Sequence, residues 1–260
     1  ERRVVMIGCG SLGSGIFRML AQSGVGNFLL IDPEILGFEN IGRHELGADS
    51  RGQSKAGALC SLALRRYPHL NSVNWADMSW QELVNRSTDH AFADTDVVVS
   101  AIGDWNSESA LSDYHRRNNL GFPIVYTWME RFAAASHSVA LGASGPCFRC
   151  GFDEVGNIRL PITGWTSPET RIGCAPASSP YSAADLAFAQ AVAAQLVLDF
   201  LQDRAQAPVH RVWYGSRSSL VHQGGHWHQR WRSKVEDPGE GGRMSPAPWP
   251  KKLTCSCAAL

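Results

Sequence analysis

A glycine loop near the start of the chain is the first group of residues that could do chemistry. It reads G-C-G-S-L-G and contains Gly8, Gly10, Ser11 and Gly13. Glycines at this spacing permit a tight turn, close approach of a phosphate to the backbone and close packing of the next helix, whose N-terminus attracts anions. Asp32 ends the next apolar run, at a spacing suited to binding ribose hydroxyls. By themselves, these residues favour a nicotinamide-dinucleotide site.

Two cations and an amide behind Asp32 change that interpretation. Asn40 and Arg43 have the spacing N-x2-R, and Lys55 ends the sequence G-x2-K. A dehydrogenase has no need of two cations after its ribose-binding acid, whereas the charge of a triphosphate must be offset while its α-phosphorus is attacked. We therefore interpret the set as an ATP site for adenylating a carboxylate. The alternative is that Arg43 and Lys55 are ordinary solvated charges.

Asp104 follows the strongest strand pattern in the chain, D-V-V-V-S-A-I over residues 96–102. The carboxyl ends of parallel strands form the ligand crevice of a doubly wound sheet, so we expect Asp104 to reach the same pocket. There its carboxylate could hold Mg²⁺ on the phosphates. Its other possible role is to cap the N-terminus of the following helix, and the two roles are compatible.

The elements that must position these residues alternate between strand and helix. Apolar runs predict strands over 4–7, 28–31, 73–75, 96–102 and 124–128, and helical spacing predicts helices over 12–23, 55–67 and 107–118. This alternation is typical of an α/β fold with a doubly wound, mostly parallel Rossmann-like sheet and helices on both faces.

The second half of the chain has a different pattern. It predicts strands and turns over 134–152, a Pro/Ser/Gly-rich loop over 161–180 and an Ala-rich helix over 182–202. Alternating residues over 211–231 predict antiparallel strands, which place His226 and His228 on one face, as a metal pair or as exposed polar residues. We expect an irregular tail over 234–252.

Composition excludes several functional classes. The 260 residues include 24 Lys and Arg and 24 Asp and Glu, so the formal net charge is zero and no basic excess points to nucleic acid. We expect no membrane span and no signal peptide. The length fits a single domain over 1–260, with a nucleotide-binding half (1–130) and a second half (131–260). Because Glu1 lies almost on a strand, we interpret the chain as part of a longer protein.

The seven cysteines include two close pairs, which suit a metal better than a disulfide framework. Cys147 and Cys150 have the C-x2-C spacing that supplies two thiolates to a tetrahedral Zn²⁺, and Cys255 and Cys257 are the candidate second pair. The alternatives are free thiols or a redox pair. Cys9 and Cys60 are expected to serve packing.

These residues resemble the adenylating domain of the ubiquitin-activating E1 and ThiF–MoeB-like adenylyltransferase superfamily. The resemblance covers residues 4–152 with specific motifs and the rest more loosely. Departures from the superfamily pattern are His44 for a Gln, Glu34 for an Asp, Trp105 between Asp104 and Asn106, and Ser109 where several members have an Arg. The matching positions are Gly8, Gly10, Gly13, Asp32, Asn40, Arg43, Gly52, Lys55, Ala56, Asp104, Cys147 and Cys150.

The resemblance implies a reaction and partners. A protein tail, from a ubiquitin-like protein or a nucleotidyltransferase, is adenylated with ATP and Mg²⁺. Cys174 lies in R-I-G-C-A-P-A-S-S-P, which is similar to the crossover loop that carries the thioester nucleophile of E1 enzymes. Arg171 could lower its pKa, and the alternative is an ordinary loop cysteine.

The chain is most similar to the E1 domain of bacterial E2–E1 fusion enzymes of CBASS antiphage operons. This implies a cytoplasmic homodimer and an E2-type partner. Two features contribute to this placement: the missing N-terminal arginine helix, of which Arg2 and Arg3 remain, and the W-M-E motif ending at Glu130. Glu130 and His137 could position the tail or the crossover loop. The alternatives are a sulfur-carrier adenylyltransferase without a thioester step, a non-catalytic partner subunit and an NAD-dependent oxidoreductase.

Overall fold

An eight-stranded mixed sheet organises the fold. The computed structural model describes residues 2–87, 91–166, 181–252, 254, 255 and 257. Its strands are β1 (Arg3–Ile7), β2 (Asn27–Ile31), β3 (Ser72–Ala76), β4 (Val97–Ser100), β5 (Ile124–Met129), β6 (Ala135–Leu141), β7 (Thr163–Trp165), β8 (Val209–Tyr214), β9 (Gly225–Trp227) and β10 (Arg243–Ala247). The large sheet has the order β10-β8-β6-β5-β4-β1-β2-β3, and β7 pairs with β9 in a small antiparallel sheet.

Helices cover both faces of the large sheet. They are α1 (Ser11–Gln22), α2 (Phe38–Ile41), α3 (Lys55–Arg66), α4 (Trp80–Arg86), α5 (Trp105–Arg117), α6 (Ala183–Leu201), α7 (Arg217–His222) and α8 (Gln229–Lys234). One hydrophobic core joins α1, α3 and α6 to one face of the sheet. A second core joins α4 and α5 to the other face.

The parallel half of the sheet runs from β3 to β5. Its inner strands are mostly apolar, as in Val4, Val5 and Met6, because helices bury both of their faces, whereas the edge strand β3 exposes Asn74 and Trp75. The predicted α/β, doubly wound, mostly parallel sheet is confirmed. The carboxyl ends of β1, β2 and β4 lie side by side, so the glycine loop, Asp32 and Asp104 follow neighbouring strands.

An antiparallel extension of β6, β8 and β10 continues the sheet beyond β5. The long helix α6 packs against α1 and across these strands. It begins at Ser182, whose hydroxyl accepts a hydrogen bond from the Asp185 backbone N–H (3.1 Å). By length and composition alone, α6 is long and apolar enough to cross a membrane. It is a core helix, since 56% of its apolar window is buried in the domain.

The prediction of antiparallel strands over 211–231 is only partly right. The segment contains β8, then α7, β9 and α8, and β9 pairs with β7 instead of forming a hairpin with β8. Leu220, Trp227 and Trp231 bury their side chains in one cluster, so tertiary burial decides the local conformation here.

The prediction of an irregular tail over 234–252 is wrong for its central part. Arg243–Ala247 forms β10 and pairs antiparallel with β8 at the edge of the sheet. Gly241 has φ +73°, and a Cβ on it would lie 1.8 Å from the Gly215 carbonyl oxygen, so glycine is required where the chain turns back. Pro246 is tolerated because β10 is an edge strand.

Candidate functional site

The glycine loop lies at the carboxyl ends of β1, β2 and β4. Gly8 has φ +90°, its N–H donates to Ile31 O (2.9 Å), and a Cβ on it would lie 2.7 Å from Ala101 O. A Cβ on Gly13 would lie 1.9 Å from Gly8 O, so glycine there lets α1 pack on the loop. A Cβ on Gly10 would meet open space. The loop is thus closed against the protein at Gly8 and Gly13 and open at Gly10, where a phosphate could approach.

Asp32 is buried and holds the loop. Its Oδ2 accepts a hydrogen bond from Cys9 N–H (2.6 Å), and its Oδ1 accepts one from Glu34 N–H (2.8 Å). Burial raises the pKa of Asp32, against the opposing effects of these two N–H donors and of the Lys55 charge. A carboxylate oxygen has two lone pairs, so Asp32 can anchor the loop and still accept from ribose hydroxyls.

Lys55 supplies a buried cation near the loop. It opens α3 directly after Ser54, whose hydroxyl accepts from Gly57 N–H (3.0 Å) and caps the helix. The Lys55 ammonium pairs with Glu34, but the Lys55 side chain is 4% exposed and that of Glu34 is 68% exposed. The Glu34 carboxylate is thus hydrated while the Lys55 ammonium is not. Because the buried ammonium is incompletely compensated, it favours binding of a further anion beside it. The alternative of an ordinary solvated charge is therefore wrong for Lys55, whereas Arg43 is exposed.

Arg43 lies on Tyr181, a residue that the sequence analysis missed. The Arg43 guanidinium carbon is 5.0 Å from the centre of the Tyr181 ring, and the Tyr181 hydroxyl is 3.1 Å from Ser11 Oγ. Helix α6 reaches the same residue, because Gln190 Nε2 donates to Ser11 O (2.8 Å). The start of α6 is therefore tied both to the glycine loop and to the second cation. A lone tyrosine before a helix carries no sequence signal of such a role.

Asn40 and Asp104 each have a local structural contact. Asn40 Oδ1 accepts from Gly37 N–H (3.0 Å) at the start of α2. Asp104 caps α5, since its Oδ2 accepts from Ser107 N–H (2.9 Å), and its side chain is exposed at the end of β4. The capping role that was considered for Asp104 is present, and its exposure leaves the carboxylate able to bind a cation as well.

Glu108, one turn into α5, is a second acid that the sequence analysis missed. It is buried, and its Oε1 accepts from Ser100 Oγ (2.8 Å). Burial raises the pKa of Glu108 to about 8, so the carboxyl is largely protonated at neutral pH. A buried acid on an otherwise polar helix is not distinguishable in sequence from an exposed one.

The four predicted zinc ligands come together. The Sγ atoms of Cys147, Cys150, Cys255 and Cys257 all lie within 4.8 Å of one another. The closest distances are 3.4 Å for Cys147–Cys255 and for Cys150–Cys257, and 3.8 Å for Cys147–Cys150. These exceed the roughly 2.05 Å of a disulfide and approach the roughly 3.8 Å edge of a tetrahedron with 2.3 Å Zn–S bonds. The donor set fits a structural Zn²⁺.

Neighbouring groups hold these ligands in place. Lys252 N–H points at Cys150 Sγ (3.5 Å), and Trp249 Nε1 donates to Cys147 O (3.1 Å). Burial acts to raise the pKa of Cys255, but hydrogen bonds from the Cys257 backbone and the neighbouring thiols have the larger combined effect and lower the pKa to about 7. At least one thiolate is therefore accessible near neutral pH, as metal binding requires.

Glu130 and His137 belong to a buried hydrogen-bonded chain. His137 Nε2 lies 2.9 Å from Glu130 Oε1, His137 Nδ1 lies 3.1 Å from His210 Nε2, and His210 Nδ1 lies 3.1 Å from the carbonyl of Pro248. That carbonyl only accepts, so His210 Nδ1 carries a proton and a neutral His210 accepts at Nε2. His137 then donates from both nitrogens and forms an ion pair with the Glu130 carboxylate. Burial and the His137 charge lower the pKa of His210 to about 3, which agrees with this proton count.

The Glu130 carboxylate also binds Ile162 and Thr163, which come shortly before residues 167–180 in the chain. Glu130 Oε1 accepts from Ile162 N–H (2.7 Å), and Oε2 accepts from Thr163 N–H (2.7 Å) and Oγ1 (2.5 Å). Burial opposes ionisation of Glu130, but the hydrogen bond and charge of His137 and the other donors outweigh it and lower the pKa of Glu130. The chain thus connects β5, β6 and β8 to the segment that enters β7.

We expect the same substitution, glutamate to glutamine, to have a large effect on stability at Glu130 and a small effect at Glu108. Glu130→Gln leaves the His137 charge unpaired, and we expect it to lower the free energy of unfolding by about 3 kcal/mol at pH 7. Glu108→Gln replaces a largely protonated carboxyl with a neutral amide, and we expect a change below about 1 kcal/mol. Urea denaturation in Mg²⁺-free buffer measures both.

The contributions of the two glutamates to folding stability should change with pH in opposite directions. The folded-state pKa of Glu130 is depressed, so its stabilisation is present above the unfolded value of about 4.3 and is lost as pH falls through the folded value. The folded-state pKa of Glu108 is raised, so wild-type stability declines from about pH 4.3 towards pH 8, and Glu108→Gln removes that decline. Equal destabilisation by both substitutions at pH 7 would contradict the assignment.

The remaining predicted residues lie apart from the site or outside the described part of the chain. Cys174 and Arg171 are outside the described residues. His226 is exposed on β9, whereas His228 caps α8 by accepting from Arg230 N–H at Nδ1 (3.1 Å). The prediction that the two histidines share a strand face is therefore wrong. Cys60 is buried, with its thiol 3.2 Å from Val73 O.

Comparison with known proteins identifies the family of this arrangement. Residues 1–213 match the ThiF family. The chain is 30% identical over 154 residues to the SAMP-activating enzyme E1 of Haloferax volcanii (58% of this chain, 54% of the relative). It is 24% identical over 211 residues to the ATP-dependent ubiquitin transferase-like protein Cap2 of Pseudomonas aeruginosa (77% of this chain, 36% of the relative). The chain thus spans about half or less of the length of these curated relatives.

A solved structure has the same fold. A crystal structure of E. coli MccB with MccA-N7isoASN superposes on this chain with a TM-score of 0.65 at 18% identity, covering 100% of this chain and 67% of MccB. The likeness includes the antiparallel extension as well as the parallel half of the sheet, because the whole chain is covered. With a family match over residues 1–213, the chain belongs to the ThiF family.

Proposed function

We propose that this protein uses ATP to adenylate the C-terminal carboxylate of a protein tail. The observation that carries the proposal is the buried Lys55 ammonium beside the glycine loop, with Arg43 tied to the same loop through Tyr181 and Ser11. Two cations at an open glycine loop suit a triphosphate and exceed what a dinucleotide needs. Membership in the ThiF family and the E1 and Cap2 relatives support this direction.

The residues have distinct roles in the proposed reaction. Asp32 accepts hydrogen bonds from the ribose, and the open backbone at Gly10 faces the phosphates. A tail carboxylate oxygen forms a bond to the α-phosphorus, the bond to the β-phosphate oxygen breaks, and pyrophosphate leaves. Arg43 and Lys55 stabilise the charge that develops on the phosphates, and Asp104 would hold a Mg²⁺ that offsets further phosphate charge.

We further propose that Cys174 takes the acyl group. Its thiolate forms a thioester with the acyl carbon, and AMP leaves. The segment that contains Cys174 is entered from β7, next to Glu130, and is left at Tyr181, next to Ser11 and Arg43. The end at Tyr181 therefore lies against residues of the proposed site, which favours delivery of a thiolate from this segment to the adenylate. A cysteine of an E2-type domain is the expected acceptor.

The biological setting is part of the same proposal. The Cap2 relative is named as an ATP-dependent ubiquitin transferase-like protein, which favours protein conjugation in a CBASS-type antiphage system. A cytoplasmic homodimer that acts on a ubiquitin-like or nucleotidyltransferase tail would be the working form. Zn²⁺ on the four-cysteine cluster would hold the C-terminal segment on the domain.

The test combines ATP–pyrophosphate exchange with detection of the adduct. Wild-type protein is incubated with candidate protein tails, Mg²⁺ and ATP, exchange is measured, and a non-reducing gel is used to detect a thiol-sensitive adduct. We expect Cys174→Ala to retain exchange and lose the adduct, and Cys60→Ala, a control outside the site, to retain both.

The alternatives predict different results. Exchange with no adduct in the wild type would favour a sulfur-carrier adenylyltransferase without a thioester step, and an adduct that persists in Cys174→Ala would contradict the role of Cys174. Nicotinamide-cofactor binding without exchange for any tail would establish an oxidoreductase and contradict the proposal.

A further inference from the structure

Two consecutive peptide units of the glycine loop, Gly8–Cys9 and Cys9–Gly10, are each held by a side chain. Cys9 N–H donates to Asp32 Oδ2 (2.6 Å), and Cys9 O lies 2.6 Å from His44 Nε2. A carbonyl oxygen only accepts, so His44 Nε2 carries the proton. Leu46 N–H donates to His44 Nδ1 (3.1 Å), so that nitrogen carries none. The contacts therefore assign His44 to the neutral tautomer protonated at Nε2.

The anchored carbonyl determines where the next N–H points. In a trans peptide the C=O of Cys9 and the N–H of Gly10 lie on opposite sides of the C–N bond. With Cys9 O directed at His44, the Gly10 N–H is directed away from His44. Gly10 is also the residue that precedes α1, and a Cβ on it would meet open space. The N–H thus lies at the N-terminus of a helix, on the open part of the loop.

We propose that His44 is a positioning residue for the nucleotide. Its neutral imidazole turns the Cys9–Gly10 peptide so that the Gly10 N–H faces the phosphates. Protonation at Nδ1 would replace the acceptor of the Leu46 N–H with a second donor and release the imidazole from this arrangement. The inference rests on the proposed adenylation of a protein tail, because it concerns the ATP site of that reaction.

The charges around His44 favour the neutral form. Burial is the main cause that lowers the pKa of His44, and the Lys55 cation lowers it further, against the Cys9 carbonyl and Glu45. The effect of Glu45 is limited, because its carboxylate is paired with Arg18 (2.7 Å). The ionisable groups around His44 and its contact Cys9 are the Cys9 thiol and the side chains of Asp32, Lys55, Glu45 and Arg18.

Two substitutions separate hydrogen bonding from titration. Glutamine offers an amide donor for Cys9 O and an oxygen acceptor for Leu46 N–H, and it does not titrate. Leucine offers neither, and it leaves a carbonyl of the loop without its donor. We expect Mg²⁺·ATP to bind about tenfold more weakly to His44→Leu than to the wild type at pH 7.5, and His44→Gln to recover most of that loss.

The pH profile gives the second readout. Calorimetric titration with Mg²⁺·ATP from pH 5.5 to 8 should show wild-type affinity falling on the acid side, with a flatter profile for His44→Gln. His69 is the matched control, because its Nε2 contacts Ala21 O (2.7 Å) at the far end of α1. We expect His69→Gln and His69→Leu to keep the wild-type affinity and pH profile.

The outcomes distinguish this inference from the proposed function. Wild-type protein that neither binds ATP nor supports exchange would overturn the proposed function. Wild-type protein that does both, with equal affinity and pH profile in His44→Leu, would overturn the role of His44. If His44→Leu fails to fold, the imidazole ¹⁵N shifts of the nucleotide-free wild type decide the matter. We expect the Nε2-protonated neutral form at pH 7.5, and an imidazolium or an Nδ1-protonated ring would contradict the inference.

Discussion

Replacing Lys55 with methionine should lower ATP–pyrophosphate exchange by about 10²- to 10³-fold, the range for removal of one preorganised charge from a transition state. Methionine fills most of the space of the lysine side chain, so α3 can keep its place against the loop. The Lys55 ammonium is buried while its partner Glu34 is largely exposed, and Glu34 can therefore be hydrated once the pair is lost. We expect the free energy of unfolding to stay constant or to rise slightly, because an incompletely compensated buried cation has been removed.

Lys234→Met is the control for that experiment. Lys234 is exposed at the end of α8, away from the glycine loop, and we expect both exchange and stability to stay at wild-type values. The measurement is exchange at saturating tail, together with urea denaturation of each variant. Exchange within threefold of the wild type in Lys55→Met would remove the cation from the mechanism.

Replacing Cys150 with serine should remove the metal and destabilise the domain. Cys150 is fully buried, and its Sγ lies 3.4 Å from that of Cys257, so one thiolate of the tetrahedron is lost. Structural Zn²⁺ binds with about 10–16 kcal/mol, and this energy is folding energy. Loss of even a quarter of it is about 3 kcal/mol, or a fall in Tm of about 6 °C for a chain of this size.

Tryptophan fluorescence reports where the destabilisation occurs. Trp249 donates to Cys147 O and packs against Phe148 and Phe152, so release of the C-terminal segment exposes its indole. We expect about one zinc per wild-type chain by elemental analysis, little zinc in Cys150→Ser, and a red-shifted emission. Cys60→Ser, outside the cluster, should keep both zinc and emission. A zinc-loaded wild-type protein whose Tm does not fall on treatment with a chelator would refute the structural role of zinc.

The parallel half of the sheet, with its connecting turns, was largely predictable from sequence. Its strands are apolar on both faces and its turns need glycine at Gly8 and Gly13, so local sequence and burial favour the same conformation. The predicted helix from Lys55 begins at that residue because Ser54 caps it and the apolar spacing continues. Motifs of this kind depend on residues that are close together in the chain, so a single sequence is enough to identify them.

The second half was less predictable, because its contacts join distant parts of the chain. The segment over 211–231 alternates like a strand, yet burial of Leu220 and Trp231 in one cluster makes α7 and α8 helical. The edge strand β10 exists because β8 offers unpaired backbone groups to it. Neither the buried cluster nor the pairing of β10 with β8 is identifiable from the local spacing of residues.

The sequence by itself determined that the chain has a doubly wound sheet, an open glycine loop and cations behind it, because each of these depends on residue types a few positions apart. Tertiary structure alone decided that Lys55 is buried, that Tyr181 joins Arg43 to Ser11, and that Glu130, His137 and His210 form one chain of hydrogen bonds. The physical reason is that burial and pairing depend on which distant segments pack together, and these set the charge and protonation that the chemistry uses.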